Sequence, residues 1–180
     1  MREDVKEVLF SEEQIAKKVA ELGAQISKDY KGKDLLIVGV LKGSVVFAAE
    51  LLKEITIHCQ IDFMAVSSYG ASTESSGVVR ILKDLDYCVE GKDILIVEDI
   101  VDSGTTLAYL LDYLKAKKVN SVKIAALLNK PARRKIEIPV EYIGFDVPDA
   151  FIVGYGIDYA ERYRNLPFIG ILKPEVYEKR

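Results

Sequence analysis

Ile94-Leu95-Ile96-Val97-Glu98-Asp99-Ile100-Val101-Asp102-Ser103-Gly104-Thr105-Thr106 is the stretch on which the reading of this chain turns. A short apolar run of strand character passes directly into two acids. An apolar linker, Ile100-Val101, leads to Asp102 and then to a small, hydroxyl-rich turn. Beyond it Leu107, Leu110, Leu111 and Leu114 share one helical face, which predicts a helix from Thr105 to Lys117. Ser103, Gly104, Thr105 and Thr106 bring hydroxyls and free backbone N–H groups to a helix N-terminus, a ready anion site. Gly104 lets the backbone come close to that anion. Glu98 and Asp99 offer carboxylates at the strand end to sugar hydroxyls, and Asp102 stands between the two groups. Ser, Thr and acids also cap ordinary helices. Three acids and three hydroxyl side chains between Glu98 and Thr106 are more than a cap needs. Taken alone, the segment reads as a site for a sugar phosphate.

The same alternation extends outward. Ser11-Glu12-Glu13-Gln14 has the form of a capping box, and Ile15, Val19, Leu22 and Ile26 predict a helix from Ser11 to Lys28. Leu35 to Leu41 is a continuous apolar run suited to a strand buried on both faces. Lys42-Gly43-Ser44 is a turn, and Val45 to Leu52 reads as a helix. Strands are expected at Gln60–Tyr69, Val78–Leu82 and Val122–Leu128, with short apolar runs near Tyr142–Phe145, Phe151–Val153 and Phe168–Leu172. Gly70 to Gly77 is a polar loop. This order predicts an α/β fold, a mainly parallel sheet flanked by helices. Ligands in such sheets bind beyond the carboxyl ends of the strands, here after Leu41, Val97 and Leu128.

Composition narrows the function. The 180 residues are 49% hydrophobic and 29% charged, with a formal net charge of −3, so no nucleic-acid or membrane footprint is expected. His58 is the only histidine, which rules out most zinc sites. Cys59 and Cys88 have no metal-ligand spacing and are expected as buried free thiols. The start lacks a signal-peptide core, and no apolar run reaches the roughly 18 residues of a membrane span; a cytoplasmic protein is expected. A Walker loop is missing, and Gly154-Tyr155-Gly156 lacks the third glycine of a dinucleotide fingerprint.

Val97 to Thr106 resembles the phosphoribosyl-pyrophosphate (PRPP) motif of the type I phosphoribosyltransferases, and within them the hypoxanthine-guanine group. Gly39 to Gly43, Ser68-Tyr69-Gly70, Leu127 to Lys130 and Phe151 to Arg164 extend the resemblance from about Leu9 to Leu172. It implies one domain over residues 1–180, with a small hood formed by the N-terminal segment and about 150–180. It also implies Mg²⁺-dependent purine salvage, in which PRPP and hypoxanthine or guanine give IMP or GMP and pyrophosphate. A homodimer or homotetramer is implied, without nucleic-acid or membrane partners.

The implied roles are specific. Glu98 and Asp99 would hold the ribose hydroxyls and, with Asp158, the metal. Asp102, Ser103, Gly104, Thr105 and Thr106 would wrap the 5′-phosphate, with Asp102 also the catalytic proton partner at purine N7. Leu41, Lys42 and Gly43 would form the pyrophosphate loop, with a non-proline cis peptide expected there, and Arg164 would contact pyrophosphate. Lys130 would donate to the purine 6-oxo group, Phe151 would stack on the base, Ile152 would meet its edge, and Asp158 would also belong to the purine-binding set. Ser68 and Tyr69 would open a lid that excludes water.

Two rival functions share the motif, a different base specificity and a regulator. Xanthine-guanine phosphoribosyltransferases resemble the motif too, and xanthine stays open because the groups facing purine position 2 are not legible in the sequence. Adenine enzymes usually carry a small residue at the position of Asp102, and a 6-amino group would not accept a hydrogen bond from Lys130. RNA-binding attenuators of this fold need a basic stripe. The nearest candidate, Lys130-Pro131-Ala132-Arg133-Arg134-Lys135, reads as a solvated loop.

Overall fold

The computed structural model describes residues 1–68 and 79–178. Its main sheet is built from β2 (Leu35–Leu41), β3 (Cys59–Ser68), β4 (Val79–Lys83), β5 (Asp93–Val101), β6 (Ser121–Asn129) and β7 (Tyr142–Asp146), in the order β4-β3-β2-β5-β6-β7. All neighbours run parallel except the edge strand β4, which is antiparallel to β3. β2 and β5 are apolar because helices cover both faces of the sheet. α1 (Glu12–Asp29) and α2 (Val45–Glu54) pack Ile15, Val19, Ile26, Phe47 and Leu51 on one side. α3 (Thr105–Ala116) packs Leu107, Leu110, Leu111 and Leu114 on the other. The capping box at Ser11 is present: its Oγ accepts the Gln14 N–H at 3.2 Å, and its own N–H donates to Gln14 Oε1 at 2.9 Å.

The order of the strands positions the site. From β2 the chain crosses to β3 on one side; from β5 it crosses to β6 on the other. The crevice where connections diverge lies between the carboxyl ends of β2 and β5, the favoured ligand position in open α/β sheets. Pairing of β2 with β5 ends at Gly39↔Val97, whereas β5 stays paired with β6 to Val101↔Asn129. Glu98 and Asp99 therefore lie beyond the last β2 partner, at the edge of the crevice, while still fixed by a strand.

A second sheet holds the chain ends. β1 (Val5–Phe10) pairs antiparallel with β9 (Ile169–Leu172), which pairs with β8 (Ile152–Val153). A single helical turn, α4 (Pro174–Tyr177), follows. Its core is Val153, Tyr163, Leu166, Phe168 and Leu172.

Several expectations are corrected. Ile100-Val101 is not a linker but the end of β5, because the ladder to β6 continues past the acids. β1 has no clear alternation to reveal it; a distant strand supplies its pairing. Cys59 is only half-buried and Cys88 is exposed, because Cys88 lies on the turn before β5 and Val89 takes the buried place beside it. The loop expected at Gly70–Gly77 lies outside the described residues.

Candidate active site

Successive strand residues point to opposite faces, so Glu98 and Asp99 leave β5 in different directions. Glu98 is buried and its Oε1 accepts the Asp99 N–H at 3.2 Å; Asp99 Oδ1 accepts the Ile100 N–H at 2.7 Å. The Asp99 carboxyl packs so closely on the Gly43 backbone that a Cβ there would overlap it. Burial, reinforced by the Asp99 charge, pushes the Glu98 carboxyl well above its ordinary range. Burial also pushes Asp99 up, against the opposing pull of Glu98, the Ile100 N–H and the Arg164 charge. Two adjacent carboxyls short of positive charge are suited to hydroxyl donors or a cation.

At the other end of the segment, Gly104 caps α3 with φ +84°, a left-handed conformation that only glycine adopts freely. The turn is tied from both sides. Thr105 donates its N–H to Ser103 Oγ at 3.3 Å, and the Ser103 carbonyl accepts the N–H groups of Lys135 and Ile136 at 2.9 and 3.1 Å. Arg134 donates from Nε to the Asp102 carbonyl at 3.2 Å and from Nη2 to Asn129 Oδ1. Thus Arg134 is a half-buried brace of the turn, and only part of the Lys130–Lys135 stretch is solvated. The first N–H groups of α3 lack intrahelical acceptors, so the turn presents donors to an anion.

A cavity of about 510 Å³ opens beside the turn, lined by Ile100, Asp102, Lys130, Phe151, Ile152 and Tyr177 among others. Oδ1 of Asp102 is buried with no hydrogen-bond partner among the described residues. Lys130 is buried, and its Nζ donates to the Ala150 carbonyl at 2.9 Å, which leaves two donor positions for a ligand. Phe151 remains 37% exposed, and Ile152 is buried in β8.

On the β2 side the peptide bond Leu41–Lys42 is cis. Lys42 Nζ lies 3.0 Å from Glu161 Oε2. Arg164 donates from Nη1 to the Gly156 carbonyl at 2.8 Å and pairs through Nη2 with Asp158 at 3.0 Å and Glu161 at 3.3 Å. Asp158 also accepts the Glu161 N–H at 2.9 Å. Gly156, at φ +99°, presses so closely on the Gly43 carbonyl that no side chain fits between them. Residues 41–43, Asp99 and the 156–164 turn therefore meet around one crevice. No group of three His, Cys, Asp or Glu side chains converges as a metal cage among the described residues. Ser68 ends β3, and Tyr69 lies outside the described residues.

Sequence reasoning missed Arg134, Gly156, Glu161 and Tyr177. Gly156 carried a signal, being half of Gly154-Tyr155-Gly156; the others act only through contacts distant in the chain.

Residues 7–160 match the phosphoribosyl transferase domain family. The chain is 58% identical over 178 residues to the hypoxanthine-guanine phosphoribosyltransferase of Bacillus subtilis (strain 168), covering 99% of each. To that of Streptococcus agalactiae serotype V it is 55% identical over 179 residues, again covering 99% of each. The solved hypoxanthine phosphoribosyltransferase of Staphylococcus aureus matches with a TM-score of 0.96 and 56% identity, over 98% of this chain and 96% of that one.

Proposed function

The chain belongs to the phosphoribosyl transferase family, and from that premise we propose how its side chains divide the work of purine salvage. The reaction is transfer of the 5-phosphoribosyl group of PRPP to hypoxanthine or guanine, giving IMP or GMP and pyrophosphate. The bond from sugar C1 to the pyrophosphate oxygen breaks, a bond from C1 to a purine ring nitrogen forms, and the purine loses a proton. Positive charge builds at C1 and negative charge on the departing oxygens, so catalysis is mainly positioning plus electrostatics.

The Asp102–Thr106 turn binds the 5′-phosphate through α3 N–H groups and hydroxyls. Glu98 and Asp99 hold the ribose hydroxyls. Lys42, Gly43 and Arg164 receive pyrophosphate, with Lys42 and Arg164 exchanging Glu161 and Asp158 for its oxygens. Lys130 donates to the 6-oxo group, and Phe151 supplies a stacking face. Asp102 takes the proton from the purine.

The buried, uncompensated pair Glu98 and Asp99 fits Mg²⁺, an ion that binds through one or two carboxylates and takes its other ligands from substrate oxygens and water. Asp158 would contribute from the pyrophosphate side. When bound, Mg²⁺ neutralises charge on the departing oxygens. No helix among the described residues is long and apolar enough to cross a membrane. The proposal includes a cytoplasmic setting and a homodimer or homotetramer, as the family resemblance implies.

The observation that carries the assignment is that Asp102, whose buried Oδ1 has no partner among the described residues, lines one cavity with Lys130 and Phe151. An assay with PRPP and Mg²⁺ against hypoxanthine, guanine, xanthine and adenine in parallel tests it. Turnover with hypoxanthine and guanine is expected, and adenine as the preferred base would overturn the role of Lys130. Turnover of xanthine at a comparable rate would widen the substrate range beyond the two bases.

A further inference from the structure

The stacking face that Phe151 offers is not held by any of the three hydrophobic cores. Phe151 is 37% exposed, just before the two-residue strand β8, and a ring so placed is free to rotate unless something grips it. Among the described residues two aromatic rings do. Tyr177 stacks on it with centroids 4.7 Å apart and planes at 23°, and Tyr159 meets it edge-on at 5.1 Å and 89°. Tyr177 also lines the cavity that holds Asp102 and Lys130.

The position of Tyr177 is itself built. Leu172, at the end of β9, donates its N–H to the Phe151 carbonyl at 2.9 Å. The next residue, Lys173, donates its N–H to the Asp4 carbonyl at 2.9 Å. Pro174, with its fixed φ and no N–H to satisfy, starts the turn that becomes α4. Val176 packs on the chain-end core, and the Glu178 N–H closes the turn onto the Pro174 carbonyl at 2.9 Å. Tyr177 is thereby delivered to Phe151 by both chain ends. It lies outside residues 7–160, the part that carries the family match.

We propose that Tyr177 is a positioning residue of the base site: it holds the Phe151 ring so that the face left open is presented to the purine. This rests on the reading of the cavity as the base site. Tyr177 acts on base binding and not on PRPP, because its ring stacks on Phe151 and packs on the chain-end core, away from the α3 N-terminus that would take the phosphate. An offset aromatic stack of this kind sets the scale of its loss, a factor of about three to ten in affinity.

The test is steady-state kinetics on the full chain with each substrate varied in turn, plus a thermal midpoint. In Tyr177→Ala and in Tyr177→Leu, which keeps apolar bulk but no ring face, KM for hypoxanthine should rise about three- to tenfold. KM for PRPP and kcat should change less than about twofold, within the spread expected of a residue that touches neither. Tyr177→Phe should restore the hypoxanthine KM. An unchanged or lowered hypoxanthine KM in both variants would overturn the inference. So would a PRPP KM that rises in step, or a failure of Tyr177→Phe to restore. A wild-type chain inactive toward both 6-oxopurines would instead overturn the base-site reading itself.

Discussion

The two halves of the candidate site are built in opposite ways. The sugar-phosphate half is one continuous run, Glu98 to Thr106, held between the ladder of β5 with β6 and the first turn of α3. The base and pyrophosphate half is assembled from far-apart pieces: Lys42 meets Glu161 across 119 positions, and Tyr163 meets Asp4 across 159. One half inherits its geometry from a buried parallel sheet. The other depends on a small antiparallel sheet, five unusual left-handed backbone positions between Gly154 and Tyr163 besides Gly154 itself, and exposed ion pairs. Damage to the first should show as lost chemistry or lost PRPP binding. Damage to the second should show in the base on the Phe151 side, and in PRPP only where it reaches the pyrophosphate contacts Lys42 and Arg164.

Asp102→Asn makes the sharpest demand on that division. It keeps the shape of the side chain and removes the proton acceptor, so kcat should fall at least about 100-fold, the low end for general acid–base catalysis. KM for PRPP should stay within about threefold, since the phosphate turn is bound through backbone groups. Steady-state kinetics with hypoxanthine check this, and unchanged kcat would remove Asp102 from the mechanism. Next in size is the pair Glu98→Gln with Asp99→Asn. Both kcat and KM for PRPP should worsen, each by roughly tenfold, because the carboxylates anchor the sugar in ground and transition states alike. The thermal midpoint of the protein without ligand should not fall, because two crowded buried acids give way to neutral amides. Wild-type kinetics in the double variant would remove both from the site.

The division also explains what could be read in advance. The Glu98–Thr106 half was legible because each residue sits next to its structural cause: an apolar strand, a glycine at a left-handed cap, a leucine-faced helix. Even there the apolar run ends four residues before the carboxyl end of β5, since apolar periodicity cannot see that β6 keeps pairing alongside Glu98 to Val101. Lys130, Phe151, Asp158 and Arg164 were named through family resemblance and not through local pattern. Arg134 reads in the sequence only as part of a solvated basic loop, and Tyr177 carries no signal there. Arg134 gains its meaning from a carbonyl 32 positions earlier, and Tyr177 from the ring of Phe151, which precedes β8. The cysteines failed for the mirror reason: Cys88 sits beside an apolar residue, yet the turn gives the buried place to Val89.

Arg134→Gln tests whether the brace belongs to the sugar-phosphate half. Loss of the Nε donation to the Asp102 carbonyl loosens the phosphate turn, and a hydrogen bond from a charged donor contributes about 1.5–3 kcal/mol. The brace acts on the phosphate only through the turn, so a part of that loss, about 1–1.4 kcal/mol, reaches PRPP: its KM should rise about five- to tenfold while KM for hypoxanthine moves less than about twofold. Equal rises in both would show that the turn and the base cavity are one mechanical unit, and the comparison would fail there.

The smallest effect is expected at Tyr163→Phe, which probes how tightly the chain-end sheet must be sewn. The Tyr163 ring is buried among Val153, Leu166, Phe168 and Leu172, and its hydroxyl donates to Asp4 Oδ2 at 3.0 Å. Phenylalanine keeps the buried ring and removes only the donor. Asp4 is partly exposed, so water takes over its lost partner, and the cost should be about 0.5–1 kcal/mol. For a chain of this length that lowers the thermal midpoint by roughly 1–4 °C. Because the ring still fills the core beneath Val176, Tyr177 stays against Phe151, and KM for hypoxanthine should shift less than about twofold. A large rise in that KM with so small a loss of stability would mean that the base half has no slack, and that its long-range ties set affinity as rigidly as the sheet sets the sugar-phosphate half.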